Sequence, residues 1–87
     1  MKQFEFTLKN EHGLHARPAG LFIQVCNRFQ CSVNLYKGDQ KYNGKSMLGI
    51  LKMAASKGDA IRIEADGADE VEAIKAIQTL VDNNFDE

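Results

Sequence analysis

The run Gly13-Leu14-His15-Ala16-Arg17-Pro18-Ala19 constrains this chain more than any other stretch. Pro18 is its only proline, and proline is tolerated in the first turn of a helix, where its missing N–H would be unpaired anyway. Pro18, Phe22, Val25, Cys26 and Phe29 then recur at helical spacing. The spacing predicts a helix over 16–28, with His15 at or near its N-cap and Arg17, Gln24, Asn27 and Arg28 on the polar face. Gly13 is the residue type that lets a chain turn sharply before such a start. Unpaired N–H groups and the positive dipole end make a helix N-terminus an anion site. Arg17 adds a guanidinium that grips oxygens in a planar fork. Reversible phosphorylation of a histidine requires such a setting: an imidazole often neutral near pH 7, and donors for the product's oxygens. The amides of Ala16 and Arg17 are the candidate donors. A plainer alternative stays open, because a cationic histidine is disfavoured at a helix N-terminus and a lone histidine is usually a surface or structural residue.

Elsewhere the pattern alternates. Phe4, Phe6 and Leu8 against Glu5 and Thr7 predict a half-buried strand over 2–8. Val33 and Leu35 predict a second strand, Lys37-Gly38-Asp39 a turn and 40–43 a short returning strand, hence a hairpin. Ser46 is a good N-cap for a short apolar helix over 47–53, with Ile50, Met53 and Ala54 as its buried stripe. Lys57-Gly58-Asp59 is another turn, and Ile61, Ile63 and Ala65 mark a fourth strand. Asp69 stands three residues before Glu72, within capping-box logic. Val71, Ile74, Ile77, Leu80 and Val81 then repeat helically to about residue 84, and the tail 83–87 is expected to fray. The order is βαββαβα. Strands with one polar face imply an antiparallel sheet with a solvated side. The expected fold is therefore α+β, an open-faced two-layer sandwich whose four-stranded antiparallel sheet is covered on one face by three helices. With 87 residues, the chain is expected to form a single domain over 1–87.

A net charge of −1 argues against nucleic-acid binding. No apolar run approaches the ~20 residues that span a bilayer, and no signal-peptide pattern is visible, so a cytoplasmic location is expected. Cys26 falls on the apolar face of the first helix and is expected to be a buried free thiol rather than half of a disulfide with Cys31. Neither cysteine has histidines at zinc spacing, and no metal or other cofactor is expected.

The Gly13–Ala19 run resembles the active-site motif of the HPr family, the histidine-containing phosphocarriers of the bacterial sugar phosphotransferase system. A second run, Lys45-Ser46-Met47-Leu48-Gly49-Ile50-Leu51, is similar to that family's regulatory serine region. The resemblance covers essentially the whole chain and implies the same open-faced sandwich. It implies that His15 takes a phosphoryl group on Nδ1 from enzyme I and passes it to an enzyme IIA domain, with Arg17 as phosphate guide. It implies that the chain is a relay, not an enzyme with turnover of its own. It further implies that Ser46 is phosphorylated by a dedicated HPr kinase/phosphorylase, with carbon catabolite repression through a transcription factor as a possible outcome. Met47, Leu48 and Leu51, with Gly20 and Gln24 of the first helix, are the expected docking surface of a monomer, since adaptable apolar side chains beside a reactive group suit several partners.

Two departures from the family pattern stand out. His12 replaces a small polar residue; His12 and His15 invite a metal reading, but no third ligand is near, and the second imidazole would disfavour protonation of His15. Gly20 replaces a small side chain, at roughly 0.5–1 kcal/mol of helix stability. The main competing function is a regulatory homologue acting through phospho-Ser46 and a transcription factor, which has no need of His15. A nitrogen-branch phosphocarrier would have less need of the serine region. A generic α+β binding module leaves both motifs unexplained.

Overall fold

The structure, a computed structural model, describes residues 1–86. The elements run β1 (Lys2–Thr7), α1 (Ala16–Cys26), β2 (Ser32–Lys37), β3 (Gln40–Asn43), α2 (Met47–Met53), β4 (Ala60–Asp66) and α3 (Glu70–Asp82), closed by a 3-10 turn at Asn84–Asp86. The four strands form one antiparallel sheet in the order β1-β4-β2-β3. The expected α+β sandwich is therefore the fold found.

Register explains why the sheet has one wet and one dry face. Phe4 pairs with Ile63, Ile63 with Leu35 and Leu35 with Tyr42, which sets one apolar row across all four strands. One residue along, Glu5, Arg62, Tyr36 and Lys41 form the next row, on the opposite face because strand side chains alternate. There the Arg62 guanidinium lies 4.3 Å from the Tyr36 ring centroid, and the Tyr36 hydroxyl donates to Glu64. The helices cover the dry face: Phe22 of α1, Ile50 and Met53 of α2 and Ile77 of α3 are buried with Ile61, Ile63 and Leu35. Cys26 and Cys31 are both free and buried, and burial pushes the Cys26 thiol up to about 12, which leaves it inert at neutral pH.

Local expectations fail at four places. α1 ends at Cys26, short of residue 28; Arg28 and Phe29 continue as a turn, donating to the Val25 and Cys26 carbonyls. Ala54 is exposed, because α2 closes there in the left-handed conformation at φ 50°, and Ala55 is buried instead. Asp69 occupies the N-cap of α3 but its side chain does not cap the helix. Its carboxylate accepts the backbone N–H groups of Gln30 and Cys31 at 2.8 and 2.9 Å, fastening the α1–β2 loop. These bonds stabilise the ionised carboxylate and hold its pKa below the usual carboxylate range, the Gln30 amide most of all. Val71, expected on the buried stripe of α3, is exposed, and Ala73 lies inside in its place.

The tail is the larger correction. Phe85 does not fray: it is 2% exposed, within the core, with its ring centroid 6.1 Å from that of Phe6. Asn84, Phe85 and Asp86 reach it through left-handed backbone, at φ 54°, 55° and 59°. Asn10, buried within a polar loop, donates its side-chain N–H to the Asn84 carbonyl and ties the turn to the loop before α1. Glu87 lies outside the described residues.

Candidate functional site

The site is built by two loops that meet under the start of α1. Leu8 donates to the Asp59 carbonyl and Gly58 to that of Leu8, so the β1–α1 loop lies along the loop before β4. Gly13 then turns the chain at φ 71°, its N–H donating to the Asn10 carbonyl, and Leu14 donates to the Ala55 carbonyl. A Cβ on Gly13 would overlap that same Ala55 oxygen. Gly13→Ala is therefore expected to cost roughly 2–4 kcal/mol, combining left-handed strain of about 1–2 kcal/mol with displacement of the Ala55 loop. Thermal unfolding checks this; a loss below about 0.5 kcal/mol would show that the turn relaxes freely.

The turn delivers His15 to the N-cap of α1 in extended backbone, φ −83° and ψ −170°, with the ring half-buried. The first helical hydrogen bond runs from the Ala19 N–H to the His15 carbonyl, and Pro18 has no N–H. The amides of Ala16 and Arg17 therefore take no part in the helix ladder. Ala16 and Arg17 are exposed, while Pro18 and Ala19 are buried and anchor the first turn. No acidic side chain lies in that turn of α1. His12, one turn of loop earlier, is exposed, and its ring stands edge-on to His15 with centroids 6.2 Å apart and planes at 79°. Among the described residues no group of three or more His, Cys, Asp or Glu side chains could hold a metal ion.

Ser46 caps α2 as its type predicts: its hydroxyl oxygen accepts the Gly49 N–H at 3.1 Å. Met47, Leu48 and Leu51 project from α2 with 38%, 64% and 42% of their surface exposed, whereas Ile50 and Met53 face the core. α2 packs on α1, and a Cβ on Gly20 would lie 3.9 Å from the Met47 methyl, so α1 and α2 meet there. Gln24 is exposed one turn further along α1. The geometry thus joins Gly20 to the α2 patch. Sequence reasoning noticed His12 but had no means of placing its ring against His15, because the contact depends on the Gly13 turn.

The model for the "PTS HPr component phosphorylation site" matches residues 2–83. The chain belongs to the HPr family. Phosphocarrier protein HPr of Neisseria meningitidis serogroup A is 44% identical to it over 78 residues, covering 90% of this chain and 88% of that protein. The crystal structure of HPr-C-His from Thermoanaerobacter tengcongensis superposes with a TM-score of 0.95 at 41% identity, covering 100% of this chain and 98% of that one. Crh of Bacillus subtilis, described as a catabolite repression containing protein, superposes at 0.77 with 38% identity and 97% of both chains covered. As an HPr, the chain is a phosphocarrier of the phosphotransferase system, a relay rather than a turnover enzyme, and its family implies partners such as enzyme I and enzyme IIA.

Proposed function

We propose that His15 is the residue that carries the phosphoryl group. The observation that carries this reading is the position of His15: it holds the N-cap of α1, half-exposed, beside two amides that the helix ladder does not use. A lone pair of the His15 ring, on Nδ1 as the family resemblance implies, attacks phosphorus. The donor's N–P bond breaks, its electron pair leaves with the donor imidazole, and the proton on the other His15 nitrogen stays in place. The Ala16 and Arg17 amides and the positive helix end receive the phosphoryl oxygens, and the Arg17 guanidinium guides them. Onward transfer to enzyme IIA is the same displacement in the other direction. The test is incubation with phosphoenolpyruvate and enzyme I, read by intact mass at neutral and acid pH. One added phosphate, labile to acid and stable to base, is expected.

Met47, Leu48, Leu51, Gly20 and Gln24 form the docking surface, supported by the exposure of the α2 side chains and by the meeting of α1 and α2 at Gly20. The chain acts as a single domain and a monomer, since self-association over this surface would close it to partners. No helix among the described residues is long and apolar enough to cross a membrane, and action in sugar uptake from the cytoplasmic side is the corresponding reading.

Ser46 serves a second, regulatory reading, favoured by its place at the border of the Met47–Leu51 patch. Phosphorylation there, by an HPr kinase/phosphorylase, puts negative charge on the docking face, and a catabolite-control transcription factor is the further partner of that form. Ser46→Asp is expected to leave the fold no less stable, because an anion suits a helix start by about 0.3–1 kcal/mol. It is expected to weaken association with enzyme I roughly fivefold at low salt, an effect of about 1 kcal/mol between surface charges that shrinks as salt rises. Titration of the variant at two salt concentrations checks this; parent-like binding at low salt would leave Ser46 only its role as a cap.

A further inference from the structure

We propose that His12 is a pH-dependent electrostatic partner of the phosphoryl site, stabilising phospho-His15 when its own imidazole is protonated. The inference rests on the reading of His15 as the phosphoryl acceptor. Its basis is the geometry of the Gly13 turn, which brings the two rings to 6.2 Å in an edge-on arrangement while leaving His12 exposed to solvent. A phosphoryl group on His15 adds two negative charges to that ring. Those charges then lie within a Debye length, ~8 Å at physiological ionic strength, of the His12 ring.

The charged groups around His12 set the sign. His12 lines a cleft of about 390 Å³ with Lys9, Asn10, Glu11, Lys57 and Asn84. Among the described residues that line it, Lys9 and Lys57 bring ammonium groups and Glu11 a carboxylate. On α1, His15 is the titratable neighbour and Arg17 follows two residues on. A phosphoryl dianion on His15 favours a cationic His12, and a cationic His12 favours the dianion. Among groups close to the site, imidazole is the one whose charge changes at physiological pH. The carrier then holds its phosphoryl group more tightly as pH falls, and releases it more readily as pH rises. Coulomb attraction at about 6 Å in water, weakened by salt, corresponds to roughly a three- to tenfold change in the transfer equilibrium.

The experiment measures the equilibrium ratio of phosphorylated to free protein, with enzyme I and phosphoenolpyruvate/pyruvate mixtures, from about pH 5.5 to 8.5, the range that brackets imidazole titration. The parent is compared at each pH with His12→Ser, which removes the charge, and His12→Lys, which fixes it. The titration of enzyme I cancels in the comparison. His12→Ser is expected to hold about three- to tenfold less phosphoryl group than the parent at the acid end, with the two converging at the alkaline end and at high salt. His12→Lys is expected to retain the high ratio throughout. A ring contact that serves only packing would change stability but not the pH profile. Superimposable profiles for parent and His12→Ser overturn the proposal, as does a His12→Lys profile that follows His12→Ser. His15→Ala in the same assay separates the two readings: its labelling would overturn the assignment of His15, whereas its silence beside superimposed profiles removes only His12.

Discussion

His15→Ala is expected to abolish phosphorylation by enzyme I while leaving the fold intact. No other described side chain combines an imidazole with the N-cap of α1, and the neighbouring His12 sits on the loop before the Gly13 turn. Alanine at this N-cap removes no side-chain capping bond, because the His15 side chain makes none to the helix. The stability cost is therefore small, within roughly 1 kcal/mol, and loss of labelling reports chemistry rather than unfolding. Intact mass after incubation with phosphoenolpyruvate and enzyme I, with thermal unfolding as control, makes the measurement. A phosphate gained by His15→Ala would move the acceptor elsewhere. Arg17→Ala, read in the same assay, keeps the acceptor and slows its use.

Phe85→Ala is expected to cost about 3 kcal/mol, the low end for a buried phenylalanine. The ring is fully enclosed and packs against Phe6, so truncation leaves a cavity. The same change also frees the tail to leave its left-handed conformation at Asn84, Phe85 and Asp86, which costs up to about 1–2 kcal/mol per residue while it is held. Relief of that strain limits the loss. For a domain whose whole stability is about 5–15 kcal/mol, the change should lower the melting temperature by roughly 12–24 °C. A drop of only a few degrees would mean that the tail contributes little, as its polar sequence suggested.

That contrast shows where the sequence was readable. Strand alternation carried the sheet, because the period of two is a property of the backbone and one wet face leaves it visible in Phe4, Phe6, Ile61 and Ile63. Pro18 and Ser46 carried the two helix starts, because their chemistry is local. The two larger misses, Asp69 and Phe85, involve partners distant in sequence. Asp69 was read as a cap from its neighbours, but the amides of Gln30 and Cys31 outcompete its own helix. Phe85 stands among Asn83, Asn84, Asp86 and Glu87, and nothing local says that a single aromatic in polar company will be buried. The tolerance of Asn and Asp for left-handed backbone was the available signal. In the candidate site, His15, Arg17 and Ser46 could be named from motif and helix chemistry. The pairing of His12 with His15 could not, since it depends on the φ of Gly13 and on the Ala55 carbonyl that fixes it.

The strand order has a consequence during synthesis. β1 lies at the edge of the sheet, and among the described residues its strand neighbour is β4. At a translation rate of about 5–20 residues per second, the first strand waits on the order of several seconds before residues 60–66 have been made. The β2–β3 hairpin closes locally, within microseconds of its emergence. Through the wait, Phe4 and Phe6 have no sheet to pair with, and the nascent chain carries an apolar strand that only its last third can cover. Its alternating Gln3, Glu5 and Thr7 keep one side of that strand polar while it is unpaired, the kind of gatekeeping that lets a strand wait without aggregating.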